Sequence, residues 1–153
     1  MPIHKLSTNL SYKEAIRSNT AEREGIDNTP TDEELLNMQA VAKRIFQPIR
    51  DHAGCAIHVS SFFRCLELNR AVGGADSSQH TKGEAIDLNG KRYGGISNAE
   101  IFEFILVNLD FDQMIWEYGT DDEPAWVHVS YKRNGHNRKE VLRKRKGQPY
   151  ERM

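Results

Sequence analysis

Two histidines and an aspartate sit in this chain where an unpaired polar group is costly. His80 falls in the polar segment Ser78-Gln79-His80-Thr81-Lys82-Gly83-Glu84, and Asp87 follows between Ile86 and Leu88. His128 lies between Val127 and Val129. A carboxylate or imidazole set into an apolar strand needs a partner to offset its desolvation, and a metal cation is the strongest one. Two imidazoles and one carboxylate give three ligands and leave a fourth position for water, the layout of a catalytic zinc rather than a closed structural one. The His-x6-Asp spacing alone arises by chance in many chains. His4, His52, His58 and His136 sit near a terminus, at a helix end, in an apolar strand and in a polar tail, and are read as structural or solvated. Cys55 and Cys65 are too few for a cysteine-rich site and are read as buried free thiols.

The elements that must position these residues are legible as periodicities. A short helical stretch is expected around Tyr12–Arg17, followed by a loop at Gly25–Pro30. Thr31 and Glu34 have capping-box spacing, and Leu35, Met38, Val41, Ala42, Ile45 and Ile49 follow at helical period, with Pro48 expected to kink or end that helix. Strands are expected at Ala56–Ser60 and Ala85–Leu88, and a short helix at Leu66–Val72, closed by Gly73-Gly74. Ser97 and Glu100 form a second capping-box spacing, and its helix runs to about Asn108. Phe111–Glu117 and Ala125–Lys132 read as an antiparallel hairpin, and Arg138–Lys144 as a last helix. Helices mixed with late strands predict an α+β domain with helices on one face of a mostly antiparallel sheet.

The 153 residues suit one domain with its own core. Hydrophobic residues make up 38% and charged residues 28%, which is not the balance of a disordered chain. No apolar run is long enough to span a bilayer, and the N-terminal stretch lacks the apolar region of a secretory signal. The protein is therefore expected to be made in the cytoplasm, to need a lysis system or export to act outside it, and to be a monomer. The net charge of −1 hides an asymmetry: residues 132–153 carry 9 Lys/Arg against 2 Asp/Glu, and residues 1–131 carry 12 against 20. A basic tail favours polyanions or is simply a solvated helix end. Nucleic acid is not the expected partner, because no aromatic-interleaved basic surface accompanies the tail. Three segments follow: a polar N-terminal extension (1–30), a catalytic body (31–132) and a basic C-terminal tail (133–153).

Ser78-x-His80-x-x-Gly83-x-Ala85-x-Asp87 resembles the zinc signature of the M15 peptidases, the D-alanyl-D-alanine carboxypeptidases and related cell-wall endopeptidases. Ser61-Phe62-Phe63-Arg64 is similar to their Ser-Gly-Tyr-Arg segment, and Trp126-Val127-His128-Val129-Ser130 to the strand bearing their third ligand. The resemblance spans roughly residues 30–132 and implies a hedgehog/DD-peptidase fold with Zn2+ held by His80, Asp87 and His128. Phe111-Asp112-Gln113-Met114-Ile115-Trp116-Glu117 resembles the strand that ends in a carboxylate beside the metal, which implies Glu117 as general base. Glu123 in the connecting loop is the rival. Some members carry a histidine two residues before the last ligand, where this chain has Trp126.

The resemblance further implies Arg64 as a clamp for a substrate carboxylate, unless it pairs with Glu67, and Ser78 as a substrate contact, unless it only shapes its turn. The implied substrates are peptidoglycan peptides, cut by a D,D-carboxypeptidase or endopeptidase of the kind found among phage or prophage endolysins. A zinc-containing binding module without turnover is the competing expectation.

Overall fold

The computed structural model describes residues 4–153. The N-terminal stretch is more than a polar extension. It forms a two-stranded ribbon, β1 (Lys5–Ser7) and β2 (Leu10–Ser11), then α1 (Tyr12–Ile16) and α2 (Asn19–Glu24). Leu6, Leu10 and Ala15 from this stretch are fully or almost fully buried in the main core.

Thr31 opens the long helix as its spacing predicts. Its Oγ1 accepts from the Glu34 amide at 3.2 Å, and the Glu34 carboxylate accepts from the Thr31 amide at 2.9 Å. The helix runs as α3 (Asp32–Val41), a π-helical turn (Ala42–Phe46) and α4 (Gln47–Ala53). Pro48 does not end it. The Gln47 amide bonds to the Ala42 carbonyl five residues back, and this widened turn admits the proline ring, which lacks an N–H to continue a regular ladder.

The remaining helices are α5 (Leu66–Ala71) and α6 (Asn98–Asn108). Six strands make the main sheet: β3 (His58–Ser61), β4 (Ala85–Asn89), β5 (Gln113–Glu117), β6 (Trp126–Ser130), β7 (Glu140–Lys144) and β8 (Glu151–Arg152). Their order is β3-β4-β6-β5-β7-β8. Every neighbouring pair is antiparallel except β5 and β7, which run parallel. The fold is therefore α+β with a mixed, mostly antiparallel sheet. The helix expected over Arg138–Lys144 is instead strand β7. The free edge of β5 supplies five successive partners, from Gln113↔Glu140 to Glu117↔Lys144, and that non-local pairing outweighs local helix preference.

Strand alternation sorts the sheet into two faces. Ile86, Leu88, Met114, Trp116, Val127 and Val129 share one cluster with Met38, Val41, Ile45 and Ile49 of the long helix and Ile101 and Ile105 of α6. The helices thus cover one face. The other face carries Asp87, His128 and Ile115 side by side in register. No described helix is long and apolar enough to cross a membrane.

Candidate metal centre

Asp87 and His128 are direct cross-strand partners on β4 and β6, so backbone pairing alone brings them together. The His128 Nδ1 lies 2.9 Å from Asp87 Oδ1. His80 comes from above the sheet on a short 3-10 turn, Gln79–Lys82. One ligand atom from each of the three residues lies within 4.8 Å of the others.

The turn bearing His80 is fixed from several sides. Ser78 caps it, its Oγ accepting from the His80 amide at 3.3 Å. The Phe62 carbonyl accepts from His80 Nδ1 at 2.6 Å, and the Arg64 amide donates to the His80 carbonyl at 3.2 Å. The Ser61–Arg64 segment is thus the cradle of the imidazole. Gly83 ends the turn at φ 74°, and a Cβ there would lie 2.6 Å from the Glu34 carbonyl oxygen. Only glycine satisfies both the backbone angle and the approach of α3.

These contacts test whether a metal fits. A carbonyl can only accept, so His80 Nδ1 carries the proton. Its Nε2 lone pair is then buried without a hydrogen-bond partner, 3.3 Å from Asp87 Oδ2. Two acceptors facing each other repel unless a cation lies between them. Burial pushes the His80 pKa down, with Asp87 opposing. Burial pushes the Asp87 carboxyl up, but the two facing imidazoles prevail and hold it far below the usual carboxylate range. A buried imidazole lone pair, an ionised carboxylate and a second imidazole form the donor set that suits zinc.

Glu117 ends β5 on the same sheet face, one row along from His128: its register partner is Trp126, while that of His128 is Ile115. It is only 8% exposed. Burial raises its pKa to about 7, with His128 and Lys144 pulling down and Asp87 pushing up. The rival, Glu123, is engaged elsewhere. Its carboxylate accepts from the Asn98 amide at 2.7 Å, at the start of α6, and its other oxygen lies 4.0 Å from Lys91.

Arg64 lies near the trio, its pKa lowered by burial and partly restored by Asp87. Its Nε is buried without a hydrogen-bond partner, and no ion pair with Glu67 forms among the described residues. The residue lines a cleft of about 300 Å³ together with Arg17, Ser60 and Ser61. Ser78 sits beside His80 as the cap of its turn, accepting through its hydroxyl oxygen. Cys55 and Cys65 are free thiols, half-buried rather than buried.

Sequence reading missed the residues that brace the site. Asn28, read as a loop former, is buried and joins three segments. Its amide donates to the Ile16 and Phe63 carbonyls, and its Oδ1 accepts from the Cys65 amide at 2.7 Å. Asp112 is fully buried and takes two hydrogen bonds from the Arg138 guanidinium, at 3.0 and 2.8 Å. It takes a third from the Arg138 amide at 3.1 Å and a fourth from Gln79, the neighbour of His80, at 3.0 Å. Burial raises the Asp112 pKa, but the Arg138 hydrogen bonds outweigh it and hold it low. An Asn flanked by turn formers and an Asp in an apolar strand were the available signals; neither names its partner.

A family model described as Peptidase M15 matches residues 8–130. Comparison with curated proteins finds no match.

Proposed function

The chain belongs to the M15 peptidase family, and we propose that it is a zinc-dependent peptidase acting on peptidoglycan stem peptides or cross-links. The observation that carries this reading is Glu117: a buried carboxyl, poised near neutrality, on the same sheet face as the His80–Asp87–His128 trio. A module that only binds has no use for such a group, whereas hydrolysis at neutral pH needs one.

His80, Asp87 and His128 would hold the metal. Bound zinc would polarise the scissile carbonyl and acidify water. Glu117 accepts the attacking water's proton on its carboxylate and hands it to the leaving amine nitrogen. Arg64 offers its planar guanidinium to a substrate carboxylate, which suits removal of a terminal D-alanine more than cleavage within a cross-link. Such a hydrolase acts at the cell wall, and lysis of that wall is the role we infer.

The test is mass spectrometry of purified muropeptides incubated with zinc-loaded protein and with chelator-treated protein. The expected result is zinc-dependent release of an amino acid or peptide, with the products naming the bond. Glu117→Gln should keep full zinc stoichiometry and lose on the order of 10²–10⁴ in rate. Wild-type protein that binds zinc and releases nothing would overturn the catalytic reading in favour of a zinc-containing binding module.

A further inference from the structure

Residues 140–152 lie outside the stretch that the family model matches, yet they extend the row that carries Glu117. Glu117 faces Trp126 on one side and Lys144 on the other. The β7–β8 register, Leu142↔Arg152 and Arg143↔Glu151, then sets Tyr150 beside Lys144 at the mouth of the hairpin. The Lys144 ammonium sits 5.1 Å from the centre of the Tyr150 ring and donates to the Gln148 carbonyl. It thereby holds both the ring and the turn. Tyr118, directly after Glu117, adopts a left-handed backbone at φ 54°. Its ring lies against Trp126, with centroids 5.3 Å apart. Glu117 thus has Trp126 and Lys144 as its register partners, with Tyr118 against the first and Tyr150 against the second.

Tyr150 is 56% exposed, so it is free to meet a ligand. Burial raises its phenol pKa, and the carboxyls of Glu117 and Asp87 raise it further. The hydroxyl therefore keeps its proton near neutrality and has it available to donate.

We propose that Tyr150 is a substrate-contacting residue, carried to the centre by the C-terminal hairpin, whose hydroxyl donates a hydrogen bond to the scissile carbonyl oxygen as negative charge develops on it. Lys144 is its positioning residue. The inference rests on the peptidase reading.

Tyr150→Phe keeps the ring and removes only the hydroxyl. With zinc content and melting temperature unchanged, kcat on a stem peptide should fall about 10²-fold, the usual effect of losing one donor to a developing oxyanion, while KM changes little. Tyr150→Phe with wild-type kcat would overturn the proposal. If the wild type cleaves no stem peptide, the peptidase reading fails, and the placement is judged separately. In protein carrying 13C-labelled tyrosine rings, zinc addition should shift the Tyr150 resonance, identified by its absence in Tyr150→Phe. An unshifted resonance would put the phenol away from the centre and overturn the inference by itself.

Discussion

Asp87 faces two imidazoles at once, 3.3 Å from His80 Nε2 and 2.9 Å from His128 Nδ1, and is held ionised by them. Glu117, one row away, has no such partners and is desolvated into the opposite state, with its pKa raised to about 7. Two carboxyls on one sheet face are thus driven apart by environment, one fixed as a ligand and one able to exchange a proton. A pH dependence follows for the metal-free protein. The Glu117 pKa is raised on folding, so the folded state binds more protons than the unfolded state between about pH 4.5 and 7. Stability is greatest below that window and falls as pH rises through 7. The drop should be on the order of 1–3 kcal/mol and absent in Glu117→Gln. Urea unfolding of chelator-treated protein across this range measures it; a nearby dication would favour the carboxylate and mask it. Parallel pH curves for wild type and Glu117→Gln would mean that the carboxyl is not desolvated. Asp87, His128 and Glu117 were legible in the sequence because each lies in or at the end of an apolar strand where a charge is out of place, and His80 through the Ser-x-His-x-x-Gly-x-Ala-x-Asp pattern around it. Tyr150 and Lys144 were not, because nothing local links a basic tail to β5.

At the scale of elements, the hairpin of β5 and β6 and the capped long helix were legible because alternation and cap spacing are local signals. The segment over Arg138–Lys144 was misread because its strand state depends on a partner more than twenty residues away. The π-helical turn ahead of Pro48 was also invisible, since it depends on how the helix packs. The same non-local logic governs Asp112, whose carboxylate ties Arg138, at the approach to β7, to Gln79 on the His80 turn. Asp112→Asn should be disruptive despite its similar shape. The new amide would present donors to Arg138 and Gln79, which are donors themselves, in a site with no exposure. We expect a loss of about 2–4 kcal/mol by chemical denaturation, together with weaker zinc binding by calorimetry because the His80 turn loses a brace. Unchanged zinc affinity in a destabilised Asp112→Asn protein would confine the network to holding the tail.

At the scale of the whole molecule, the charge asymmetry resolves into internal pairing. Arg138 meets Asp112 at 2.8 Å, and Arg143 and Arg145 meet Asp121 at 2.7 and 3.4 Å. Lys139 lies 4.0 Å from Asp110, and Arg133 lies 4.0 Å from Glu33. The polyanion that the basic tail meets in the fold is the acidic body itself. Exposed pairs of this kind contribute little one by one, so the attachment of the tail rests chiefly on the sheet. Without β7 the edge of β5 would be bare, and that strand presents Met114, Ile115 and Trp116, all buried. Arg143, whose guanidinium lies 5.7 Å from the centre of the Trp116 ring, would be lost with it. A bare apolar edge is a template for pairing with another chain. Protein ending at Lys132 should therefore aggregate or form higher oligomers in size-exclusion chromatography with light scattering. Raising the salt concentration on the intact chain should weaken only the exposed pairs and leave it monodisperse. A chain ending at Lys132 that stayed monomeric with an unchanged melting temperature would make the last two strands a dispensable appendage. It would also count against the proposed role of Tyr150, which the last two strands carry.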